Sequence, residues 1–111
     1  MRKINIKPLS VNECWQGRRF KTKEYKQYEK DLLLMLPNIK LKIQRVNIDI
    51  VFGFSNSLCD IDNPLKPFLD VLQKKYNIND RDIYKLIVSK EVITKGNEFI
   101  KYKITEIDGK K

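Results

Sequence analysis

Residues 59–83 of this 111-residue chain hold Asp60, Asp62, Asp70, Asp80 and Asp82 together with Lys66, in a molecule whose formal charge is +9. Clustered carboxylates repel one another unless a cation offsets them, and a hard divalent ion that prefers oxygen ligands, Mg²⁺ above all, does so. Asp60 and Asp62 are two residues apart, so in an extended segment their side chains point the same way. A carboxylate-held Mg²⁺ acidifies water and offsets charge on phosphoryl oxygens, which is what phosphodiester hydrolysis needs when no imidazole is present. Asp80 or Asp82 is the expected third carboxylate, brought back to the same sheet edge after a helix. Lys66, one turn into that helix, is placed to stabilise charge developing on a phosphate. A purely structural account competes with this one: Asp62 or Asn63 caps the helix, Lys66 pairs with Asp70 at i,i+4, and residues 80–82 form a solvated turn.

The rest of the composition narrows the chemistry. The chain has no histidine, which excludes Ser-His-Asp triads, Cys-His pairs and histidine-ligated metals. Cys14 and Cys59 have no CxxC spacing, so free thiols are expected and zinc is not. With 41% apolar and 33% charged residues and no apolar run near the length of a membrane span, the expectation is one globular domain over residues 1–111. The N-terminal residues lack the apolar core of a signal peptide, and a cytoplasmic protein with no organic cofactor is expected. A sequence pI near 9.6 suits a partner rich in phosphate.

Those residues need elements to position them. Ile4 and Ile6 alternate in a first strand, residues 3–7, stopped by Pro8. Residues 9–21 have no period and form a loop carrying Asn12, Trp15, Arg18, Arg19 and Lys21; with Lys23, these are the candidate DNA-binding residues, aromatic for stacking and basic for phosphates. Thr22 is the expected N-cap of a helix over residues 23–36, whose Tyr25, Tyr28 or Glu29, Leu32 and Leu36 make one apolar stripe ended by Pro37. Residues 38–45 are weakly patterned. Val46, Ile48, Ile50, Phe52 and Phe54 then alternate with polar or small neighbours in the clearest strand of the chain. A second helix follows, with Pro64 at its first position, Asn63 as cap and Leu65, Phe68, Leu69 and Leu72 on its apolar face. Two strands, residues 83–92 and 99–107, close the chain, and Gly96 lies between them where a hairpin turn uses glycine. The expected architecture is α+β, order β-α-β-α-β-β, with two helices on a mixed sheet.

The pattern Asp60-Ile-Asp62-Asn63-x-x-Lys66-x-x-x-Asp70, with Asp80 shortly before a strand led by Ile83, resembles the RusA family of Holliday-junction resolvases. Lys7-Pro8-Leu-Ser-Val-Asn12, the basic loop and Lys21-Thr22-x-x-Tyr25 are similar to that family's N-terminal segment, so the resemblance spans nearly the whole chain. It implies a RusA-like fold, with Asp60, Asp62 and Asp80 as essential carboxylates that hold Mg²⁺, for which Mn²⁺ can substitute, and Lys66 as the catalytic lysine. It also implies a homodimer, bacterial or phage-encoded, that nicks opposed strands of a four-way DNA junction in recombination and repair. The family usually has a double aspartate where this chain has Asn79-Asp80; Asp82 adds an acid, and Asp80 is preferred over it as third ligand. A noncatalytic basic module that binds DNA or RNA, with the acids as caps and charge balance, is the alternative.

Overall fold

The computed structural model describes residues 1–10, 15–16, 20–42 and 45–107, with the backbone alone at 15, 16 and 20. The strictly alternating segment forms the central strand β4 (Val46–Phe54), and every one of its apolar even-numbered residues is buried. Around it lie β1 (Arg2–Ile4), the two-residue strands β2 (Trp15–Gln16) and β3 (Phe20–Lys21), α1 (Lys23–Met35), α2 (Leu65–Tyr76), β5 (Ile83–Val92) and β6 (Phe99–Glu106). The main sheet has the order β1-β6-β4-β5, with β4 parallel to β5 and antiparallel to β6. The result is one α+β domain in which two helices cover a mixed four-stranded sheet.

Both helices bury apolar residues in one core. Tyr25, Tyr28 and Leu32 of α1 and Phe68, Val71, Leu72 and Tyr76 of α2 join Ile48, Ile50 and Phe52 of β4 and Ile100 and Tyr102 of β6. Phe68 packs edge-on against both Phe52 and Tyr102. The Tyr76 hydroxyl donates to the Pro37 carbonyl at 2.8 Å and lies 3.4 Å from that of Tyr102, and burial pushes its pKa up. As expected, Thr22 caps α1, its hydroxyl accepting the Tyr25 N–H at 3.1 Å. Among the described residues no helix is long and apolar enough to cross a membrane.

Several local expectations need correction. β1 stops at Ile4 because the Ile6 N–H turns back to the Ile4 carbonyl at 2.9 Å. The segment expected as an irregular loop contains the β2–β3 pair. α2 begins at Leu65, with Pro64 before it and no side-chain cap from Asn63; the Leu65 N–H bonds instead to the Asp62 carbonyl at 3.2 Å, and Pro67, which has no N–H, falls in the first turn where none is needed. The last two strands are not a hairpin. β4 lies between them, and the connection around Gly96 passes over its end, where the Ile93 N–H donates to the Phe54 carbonyl at 2.7 Å. A period-two pattern identifies strands but carries no information about which neighbour each pairs with.

Candidate active site

The site begins where β4 ends. Beyond Phe54, the Asn56 side chain accepts the Leu58 N–H at 2.8 Å, an Asx turn that reverses the chain. Lys90 of β5 holds this loop to the sheet, donating to the carbonyls of Ser57 at 3.3 Å and Cys59 at 2.8 Å. Asp60 follows, exposed, its carboxylate 3.5 Å from the Asn63 amide. Residues 61–64 form a turn, so the extended geometry that would align Asp60 with Asp62 is not present; the turn keeps both carboxylates exposed just ahead of α2. A cavity of about 360 Å³ opens beside them, lined by Lys7, Phe54, Cys59, Asp60, Asn63 and Glu98. Cys59 is a half-buried free thiol.

Helical spacing sets the next groups on one side of α2. Lys66 and Asp70, four apart, form an ion pair at 2.9 Å, as the structural account expected. The hydrogen bond that Lys66 donates to Asp70 and the charge of Asp70, and more weakly the charge of Asp80, raise the Lys66 pKa above the ordinary lysine value. Gln73, a further turn along, donates through one amide nitrogen to the Ile78 carbonyl at 3.2 Å and to the Asp80 carboxylate at 2.6 Å. Asn77, in the left-handed conformation (φ 56), ends the helix. Asp80 and Asp82 then sit in a single 3₁₀ turn, Asp80–Asp82, leading into β5. Asp80 is therefore both tied to α2 through Gln73 and felt at Lys66; Asp82 shows neither connection.

The expected convergence of Asp60, Asp62 and Asp80 does not occur within this chain. Because β4 and β5 are parallel, with Val46 beside Ile83, the crossover through α2 returns the chain to the opposite end of the sheet. Asp60 and Asp62 follow the end of β4, ahead of α2, while Asp80 precedes the start of β5 and is held at Gln73, two turns beyond Lys66 along α2. Among the described residues no three Asp, Glu or Cys side chains gather as a metal site. What the arrangement presents is a row: the Asp60–Asp62 turn, then Lys66, Asp70, Gln73 and Asp80. Mg²⁺ commonly takes one or two carboxylates and completes its shell with waters and substrate phosphate, so the Asp60–Asp62 turn offers a donor set of the right chemistry.

Of the expected DNA-binding residues, Asn12, Arg18 and Arg19 lie outside the described residues. Trp15 is in β2. Lys21 donates to both carboxylate oxygens of Glu29, at 2.9 and 3.1 Å, and its ammonium lies 5.0 Å from the centre of the Tyr25 ring. Lys23 is exposed at the start of α1. Sequence reasoning missed the positioning roles of Gln73 and Lys90; the fixed spacing of Gln73 to Asp70 and Lys66 on a helix was the available signal for the first, and none existed for the second.

No protein-family model matches this chain, and no curated protein matches it.

Proposed function

We propose that this chain is a Mg²⁺-dependent, structure-selective DNA endonuclease that resolves four-way junctions by paired nicks as a homodimer, in recombination and repair. The observation that carries the reading is the exposed Asp60–Asp62 turn followed, one turn into α2, by Lys66 ion-paired to Asp70, in a strongly basic chain. Asp60 and Asp62 are the residues that would hold the metal, which when bound supplies an acidified water and offsets phosphoryl charge. Lys66 acts on the phosphate: it stays charged through the neutral range, and a phosphate oxygen competes with Asp70 for its ammonium. Asp70 and Gln73 are positioning residues, the first orienting Lys66 and the second Asp80.

Two cuts in opposed strands require two sites, hence two chains about a two-fold axis. The edge strand β5 supports such a pairing, since among the described residues no strand pairs with its outer side and Tyr84, Leu86, Ile87 and Val92 are exposed along it.

One observation favours the alternative of a noncatalytic nucleic-acid-binding module: the carboxylates at the two ends of α2 do not meet in one chain, and Asp70 and Asp80 already have partners. Incubating the full chain with labelled four-way junction, linear duplex and single strand, with Mg²⁺ and with chelator, separates the readings. The nuclease cuts the junction only with the metal; the module binds equally well in chelator and cuts nothing.

A further inference from the structure

One face of the main sheet carries the helices; among the described residues no helix lies on the other. Direct cross-strand partners share a face, so the residues opposite Val51, Asp49 and Asn47 of β4 can be read off the register. They are Lys101, Lys103 and Thr105 on β6, and Ser89, Ile87 and Lys85 on β5. Lys3 of β1 stands directly opposite Lys101. Like charges directly opposite one another destabilise a sheet, and here no carboxylate of the described residues is within ion-pair distance of Lys3, Lys85, Lys101 or Lys103. The acids on this face are Asp49, half-buried opposite Lys103, and Glu91 near the end of β5.

A built feature holds two of these lysines in place. Gly53 lies opposite Phe99, and a Cβ there would press into the Phe99 ring, so glycine lets the ring lie close against the backbone of β4. The ring is buried, and the ammonium groups of Lys3 and Lys101 both stand 5.0 Å from its centre. Cation–π attraction on this scale offsets part of their mutual repulsion and keeps both charges above the sheet. Strands spaced about 4.8 Å apart spread the cations over the face in two dimensions, a match for a duplex backbone rather than for a small anion.

We infer that the open sheet face, through Lys3, Lys101 and Lys103, is a second nucleic-acid contact surface that grips the phosphate backbone of a duplex arm. The inference rests on the nucleic-acid reading given above, and adds to it that the candidate site along α2 and this face lie on opposite sides of the sheet. A branched substrate can reach both with different arms, whereas a linear duplex occupies one at a time. Structure selectivity then has a physical source in the two separated surfaces.

The test is a salt series of binding to labelled four-way junction and to linear duplex, in chelator so that nothing is cut, with the full chain carrying Lys3→Gln, Lys101→Gln and Lys103→Gln. Removing one lysine–phosphate pairing lowers the slope of log affinity against log salt by about 0.9, so the slope on the junction is expected to fall by about 2–3 units. The corresponding triple arginine variant is expected to keep the wild-type slope. Lys103→Glu alone, which leaves the Phe99 packing untouched, is expected to reduce the slope by about one unit and decides the matter where the triple variant does not fold. A wild-type slope in folded glutamine and Lys103→Glu variants overturns the inference, and is the outcome expected of a face that docks an acidic protein instead. Cleavage is read separately: a wild-type chain that never cuts while the slope falls overturns the nuclease reading and leaves the face standing.

Discussion

At the scale of single residues, the reading stands on what Asp60, Asp62, Lys66 and Asp80 do. Asp60→Asn and Asp62→Asn are expected to abolish Mg²⁺-dependent cleavage of a four-way junction while leaving binding in chelator intact or tighter, since a negative charge leaves an anionic interface; wild-type cleavage by either variant would remove the metal site from the argument. Lys66→Ala is expected to slow cleavage by a factor of order 10²–10³. Because Asp70 is the main cause of the raised Lys66 pKa, Asp70→Asn should move the Lys66 titration to lower pH, as followed by NMR of ¹³C-labelled lysine. With the folded pKa raised, whatever Lys66 adds to stability is complete below the ordinary lysine value and fades as pH rises through the raised one. Asp80, held by Gln73 and adding negative charge near Lys66, should matter more than Asp82, so Asp80→Asn is expected to cost more activity than Asp82→Asn; the reverse ranking would show that Asp82, not Asp80, supports Lys66.

At the scale of elements, the packing of β4 on β6 is the most exacting part of the fold. Gly53→Ala drives a methyl group into the Phe99 ring, and overpacking of this kind costs about 1–3 kcal/mol. Urea denaturation of Gly53→Ala, Phe99→Ala and the double variant should give non-additive destabilisation, the second substitution costing less once the first is made. Strict additivity would mean that the ring does not rest on the glycine. The crossover element α2 joins scaffold and chemistry, since its inner residues are core while Lys66, Asp70 and Gln73 lie on its outer side; it starts at Leu65, just after Pro64, with Pro67 in the first turn where no N–H is needed.

At the scale of the whole molecule, the sheet has an unfinished edge. If a second copy pairs with β5 antiparallel with Val88 at the two-fold axis, Lys85 meets Glu91 of the second copy and Tyr84 meets Val92, each twice, so the strand is complementary to itself in charge and in apolar contact. The full chain is therefore expected to be a dimer by light scattering at micromolar concentration. Lys85→Glu should weaken the dimer and Lys85→Glu with Glu91→Lys should restore it. A monomer with and without junction would count against paired cutting and favour the noncatalytic module.

The α+β class, both helices, the Thr22 cap and the buried face of β4 were legible from the sequence, because apolar spacing and capping chemistry act within a few residues. The Lys66–Asp70 pair was legible for the same reason, as i,i+4 neighbours on a helix. Tertiary structure alone decided which strands are neighbours. It placed β4 between β5 and β6, where a glycine-containing turn had suggested a hairpin, and in doing so it set Lys3, Lys101 and Lys103 on an open face. It also parted Asp80 from Asp60 and Asp62, because a parallel crossover must return the chain to the far end of the sheet. Strand pairing depends on how much apolar surface each arrangement buries across the whole domain, and that quantity is not carried by any local stretch of residues.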